Sequence, residues 1–156
     1  MSTSMRWIMF AAMFFLGVVT PAFAQSTDLP APFAKPAPSL DHPRKVVLSL
    51  SERDPVRVNE ILSNLGNIQK FYGTDNVRIA LVVFGPGVHA VLKSDSLVRP
   101  RISSLLAIGV DILACDATLQ SMHLTADALI PGVKVVPNGI PEIVELQASG
   151  WYYVRP

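Results

Sequence analysis

The chain has 156 residues, half of them hydrophobic and 16% charged, with a formal net charge of +1 and a single cysteine. That length suits one domain, and one cysteine excludes an internal disulfide framework. A charge so near zero, with Lys and Arg scattered, gives no electrostatic basis for binding nucleic acid or an anionic membrane.

Residues 1–24 read as a secretory signal peptide. Arg6 supplies a positive start, and Trp7 to Val19 is an apolar run long enough for an h-region but short for a membrane span. Pro21 breaks the helix, and Ala22-Phe23-Ala24 is an A-x-A site. Cleavage is expected after Ala24, giving a periplasmic or secreted protein that begins at Gln25. No cysteine follows the run, so lipoprotein anchoring is not expected, and no later stretch is long enough to span a bilayer. Residues 25–44 carry prolines at 30, 32, 36, 38 and 43 and read as a Pro-rich linker or extended arm.

From Lys45 the pattern becomes that of a folded domain, 45–156. Lys45 to Leu50 is a strand, with Ser49 and Ser51 near the end where a site can form. Asp54 then Pro55 give an N-cap and a first-turn proline. Val58, Ile61, Leu62, Leu65, Ile68 and Tyr72 follow at helical spacing, and Gly73 suits a left-handed C-terminal stop. Val77 to Phe84 is almost wholly apolar, as in a parallel strand buried on both faces. Gly85-Pro86-Gly87 turns the chain, and Val88 to Leu92 begins a short helix. The loop lacks the lysine and spacing of a phosphate-binding P-loop.

Pro100 starts another helix, with Ile102, Leu105 and Leu106 on its buried side and Gly109 as its stop. Val110 to Ala114 is the third strand, and Asp116 can cap a helix from Ala117 to Met122. Ala126 to Ile130 forms a further turn. Val133 to Val136 is the fourth strand, closed by Pro137-Asn138-Gly139. Pro141 opens the last helix, with Ile143, Val144 and Leu146 apolar, and Trp151 to Val154 is the fifth strand. Strands alternate with helices, and each connection is long enough for a parallel crossover. The expected fold is α/β, a three-layer sandwich around a mostly parallel five-stranded sheet.

Much familiar chemistry is absent from the sequence. His42, His89 and His123 have no pairing at metal-ligand spacing, and no H-E-x-x-H, C-x-x-C, G-x-S-x-G or G-x-G-x-x-G motif occurs where it would function. Neither a metal nor an organic cofactor is expected. Glu142 and Glu145 read as a solvated helix face, and Trp151, Tyr152 and Tyr153 as core and interface packing. Asp111 inside a short strand suggests an edge strand or an oligomer contact.

Cys115 remains. It falls at a strand's C-terminal end and a helix N-terminus, where α/β sheets bind ligands and where N–H groups favour a thiolate. Free cysteine is also a common space-filling core residue, and position alone leaves both readings open. Thr118 occupies the place of the second cysteine of a C-x-x-C motif, so its hydroxyl can hydrogen-bond the sulfur. Asp116 opposes the helix dipole. The dipole and Thr118 are expected to win, with a thiol pKa at or below about 8.5. His89, near another strand end, is a candidate neighbour of the thiol.

The stretch ACDATL at Ala114 to Leu119, with PGVKVVPNGIPEIVELQASGWYYVRP at Pro131 to Pro156, resembles the DsrE/DsrF-like family, in particular its exported single-domain members. The cysteine after the third strand, the V-P-x-G-I turn and the closing Q-x-x-G-W-x-Y carry the resemblance together. It implies a five-stranded α/β sandwich and assembly into homo- or hetero-oligomers. The best-known members pass persulfide sulfur along cysteines in cytoplasmic relay complexes, and the matching position is Cys115. This chain departs from them in its leader and in lacking the Arg-Gly pair often seen after the cysteine of relay subunits.

Two functions follow as expectations. In the first, the protein is a periplasmic sulfur carrier or transferase. Cys115 holds sulfane sulfur, supported by Asp116, Thr118 and His89, and the donor or acceptor is a partner protein or small thiol. In the second, the same fold is a non-catalytic oligomeric module that binds a small ligand or a protein. A carrier needs a reachable thiol, whereas a module can bury it.

Overall fold

The computed structural model describes residues 33–156. The leader and the first part of the arm lie outside the described residues. In chain order the elements are β1 (Arg44–Leu50), α1 (Pro55–Tyr72), β2 (Val77–Val83), α2 (Arg99–Ala107), β3 (Asp111–Cys115), α3 (Asp116–Ser121), β4 (Lys134–Val136), α4 (Gly139–Ala148) and β5 (Tyr152–Val154). The five strands form one sheet in the order β4-β3-β2-β1-β5, with every pair parallel.

Connection handedness explains how the helices are distributed. Parallel crossovers are right-handed, so successive steps in one direction across a sheet put their helices on one face. From β1 through β4 the chain steps one way, and α1, α2 and α3 share a face. There Val46, Leu48, Leu50, Ile79, Leu81 and Ile112 meet Leu62, Leu65, Ile102 and Leu119. From β4 the chain returns to the opposite edge, so α4 lies on the other face. The core on that face is smaller: Val47, Ala80, Val82 and Leu113 against Ile143, with Phe84 and Trp151 packed at its border. The sheet is therefore sandwiched unequally, with three helices on one side and one on the other.

The alternation of side chains in β1 and β2 supplies both cores, and Arg78 alone breaks the burial of β2. Each large apolar side chain enclosed here contributes on the order of 1.5–3 kcal/mol relative to exposure. Asp54 caps α1 by accepting from the Arg57 N–H at 3.0 Å. Gly73 follows with φ +85° and ψ 150°, so it has the positive φ that favours glycine but an extended ψ in place of the left-handed helical one.

Several boundaries move from the sequence expectation. The segment after β2 is a 3-10 helix from Gly85 to Val91. Gly87 is fixed there by contact: a Cβ on it would stand 2.3 Å from the Leu50 carbonyl oxygen. The last helix opens at Gly139, two residues before Pro141. β3 is an interior strand, so Asp111 marks no edge. Its carboxylate instead accepts from Lys134 Nζ on β4 at 2.5 Å. The described end of the arm folds back on the domain, with the Phe33 ring 5.6 Å from Phe71 and 5.7 Å from Tyr72. No described helix is long and apolar enough to cross a membrane.

Candidate functional site

Two neighbouring strands whose following helices leave to opposite faces open a crevice at their C-terminal ends, and α/β folds bind ligands there. In this sheet those strands are β3 and β4, because α3 joins the three-helix face and α4 the other. Cys115 is the last residue of β3 and pairs with Val136, the last residue of β4. The thiol thus lies at the switch point of the sheet, between the first turns of α3 and α4.

The sequence places the cap of α3 at Asp116, but the helix begins one residue earlier. Cys115 itself is the N-cap residue, with φ −72° and ψ 115°, and makes no side-chain capping bond. It still belongs to the extended strand while its successor is already helical. Asp116 occupies the first helical position and its carboxylate accepts from Gln120 Nε2 at 2.6 Å.

Cys115 is only 5% exposed. Burial is the largest single influence on the thiol and raises its pKa, because it disfavours the charged sulfur. Four polar groups around the sulfur act the other way: the Thr118 hydroxyl and the N–H groups of Thr118, Gly139 and Ala117. Together they outweigh burial and hold the thiol below its ordinary value. The Ala117 N–H is shared with the Pro137 carbonyl at 3.2 Å and contributes least. Asp116 is not among these influences.

Thr118 is itself oriented by the loop after β2. The Gly85 N–H donates to Thr118 Oγ1 at 3.0 Å. A threonine hydroxyl has one hydrogen to give, so accepting from Gly85 leaves that hydrogen free for the sulfur. Sequence reasoning reached Thr118 but missed Gly85 and Gly139. Gly139 has a signal of its own, in that a Cβ there would meet Phe84 side-chain atoms at 3.0 Å. Glycine seats the start of α4 close to Phe84, and a larger residue would press on that ring.

Of the residues singled out from sequence, the structure brings Cys115 and Thr118 together and leaves Asp116 alongside. His89 lies elsewhere. Its Nδ1 hydrogen-bonds the Asp95 carboxylate, and it lines a cavity whose wall does not include Cys115. Ser49 is buried and joins Tyr153 through a 2.8 Å hydroxyl–hydroxyl bond that ties β5 to β1. Among the described residues, no group of three or more His, Cys, Asp or Glu side chains that could hold a metal ion occurs.

The DsrE/DsrF-like family model matches residues 46–156. No curated protein matches the chain. Among solved structures, a protein of unknown function from Methanobacterium thermoautotrophicum is 35% identical with a TM-score of 0.69, over 72% of this chain and 99% of that one. A conserved protein of unknown function from Bacteroides thetaiotaomicron is 21% identical, TM-score 0.58, over 72% and 94%. The ychN protein from E. coli is 14% identical, TM-score 0.61, over 73% and 99%. These last two likenesses concern the fold alone.

Proposed function

The chain belongs to the DsrE/DsrF-like family, which is associated with sulfur metabolism, and from that premise we propose that it carries sulfane sulfur on Cys115. The supporting observation is the place of the one thiol at the switch point of the sheet, between the starts of α3 and α4, where the polar groups around it lower its pKa despite burial. The thiolate is the nucleophilic form of cysteine.

Loading follows ordinary exchange chemistry. The Cys115 thiolate attacks the terminal sulfur of a persulfide or polysulfide. A new S–S bond forms, the donor's S–S bond breaks, and the donor leaves as the shortened thiolate. The Cys115 persulfide carries the negative charge on its outer sulfur once its proton is lost. Release is the reverse step: an external thiolate takes the outer sulfur and returns Cys115 to the thiolate. Each transfer moves one sulfur atom between sulfur nucleophiles, so no oxidant or reductant is consumed. With one cysteine in the chain, the acceptor must be another molecule. In this reading the leader exports the protein, and sulfur is handled outside the cytoplasm by a homo-oligomer.

The 5% exposure of Cys115 favours a second reading, in which the thiol is packing and the fold serves as a binding module. Intact-mass spectrometry after polysulfide treatment decides between them. A carrier gains the mass of one sulfur, loses it to added thiol, and gains none as Cys115→Ser with its fold unchanged. A protein that gains no sulfur, and whose thiol reacts with alkylating agents only after unfolding, is the binding module.

A further inference from the structure

The cavity lined by His89, away from the thiol, has no part in that chemistry. It measures about 530 Å³ and opens between the N-terminal ends of α1 and α2, beside the 3-10 helix that follows β2. Sites for small molecules fall in the range of about 300–1,000 Å³ and combine apolar walls with a few convergent polar groups. Here the walls are apolar: Val58, Ala90 and Val98 line it and are themselves buried. Leu97 also lines it yet is 86% exposed, an apolar side chain standing in solvent beside an apolar wall.

The polar groups leave a charge unmatched. Asp95 is the one acid in the wall. Its Oδ2 accepts from Arg53 Nη2 at 3.0 Å and from His89 Nδ1, which offsets the Arg53 charge. Arg101 also lines the cavity, and among the described residues its partners are all neutral: Ser63 Oγ at 2.9 Å, the Asn59 carbonyl at 3.3 Å and Asn59 Oδ1. These bonds use three of the five guanidinium N–H donors and hold the group in place. The nearby start of α2 has Val98 at its N-cap and no side-chain cap, so its first turn adds positive potential to the same wall.

We propose that this cavity binds a small monocarboxylate with a short aliphatic body. One uncompensated guanidinium matches one negative charge, and its remaining donors suit a planar carboxylate. Val58, Ala90 and Val98 receive the chain, and Leu97 closes over it. A dianion such as sulfate would leave one charge unmatched and would gain nothing from these walls.

The test is titration of the purified, isotope-labelled protein with hexanoate, followed by amide NMR. Hexanoate should saturably shift the Ala90 and Val98 resonances, while hexanamide and sulfate bind at least about tenfold more weakly. Arg101→Gln should lose that preference for hexanoate over hexanamide. Because Arg101 also braces α1 against α2, Leu97→Ser supplies an independent variant: its side chain is exposed, so the fold is retained, and hexanoate affinity should fall about threefold or more. Absence of saturation up to about 10 mM hexanoate would overturn the proposal. Equal binding of hexanamide or sulfate, or unaltered affinity in Leu97→Ser, would overturn it as well.

Discussion

At the scale of the residue, the ionisation of Cys115 depends on a contest between burial and hydrogen bonds, and one side chain shifts the outcome. Thr118→Val removes the hydroxyl that helps lower the thiol pKa, whereas Thr118→Ser keeps it. With one hydrogen bond contributing about 0.5–1.5 kcal/mol, alkylation of the folded protein near neutral pH should slow roughly three- to tenfold in the valine variant and much less in the serine variant. The alkylation profile of Thr118→Val should also move to higher pH. A related effect concerns stability. The folded-state thiol pKa lies below that of the unfolded chain. Its stabilising contribution is therefore complete above the ordinary thiol value of about 8.5 and is lost as pH falls through the lower folded value. Urea denaturation as a function of pH should show this rise on the alkaline side for the wild type and none for Cys115→Ala. The comparison rests on the slope, because the alanine variant also leaves a small void.

At the scale of the element, two glycines show how local space decides a substitution. Gly87 lies where the 3-10 helix crosses the end of β1, and its Cβ would be 2.3 Å from a backbone oxygen that cannot rotate away. Gly87→Ala must displace β1 or the loop and should cost more than about 2 kcal/mol by urea denaturation. Gly66, inside α1, has nothing within 4 Å of a built Cβ. Gly66→Ala should stabilise by about 0.5–1 kcal/mol, since alanine loses less backbone entropy in a helix. The same contrast explains what the sequence reveals. Strand and helix identities are legible because β1 and β2 are short runs buried on both faces and α1 buries residues at helical spacing. The sequence puts the start of α3 one residue later because Asp is a good capping type, whereas the pairing of Cys115 with Val136 on β4 keeps the cysteine in the strand and starts the helix at Asp116. The Gly139 and Gly85 contributions were invisible for a similar reason. Both are backbone N–H groups brought to the site by the order of strands, and no side-chain pattern records that.

At the scale of the whole molecule, the export proposal and the assembly proposal are checked separately. Arg6, the apolar run and Ala22-Phe23-Ala24 lead to an expected N-terminus at Gln25 in protein recovered from the cell envelope. Sequencing that finds Met1 in place would remove the periplasmic setting and leave the thiol chemistry to be tested in the cytoplasm.

The thin face of the sheet and its edge carry exposed apolar surface suited to assembly. One helix, α4, covers that face, and its Ile140 and Val144, four residues apart on one side, are 56% and 54% exposed. β5 forms the adjoining sheet edge, and its Tyr153, on the α4 face, is 39% exposed. An open edge strand beside an exposed apolar helix stripe invites pairing in a lone monomer. A second copy of the chain would cover both, and aromatic side chains are suited to the centre of such a contact. Light scattering at micromolar concentration should therefore give a multiple of the mature mass, in the range from dimer to hexamer. Val144→Glu puts a charge in the stripe without touching the core and should shift the protein toward monomer while its folded spectrum is retained. A wild-type protein that remains monomeric at every accessible concentration would remove the oligomer, and any persulfide transfer would then have to run between single subunits and their acceptors.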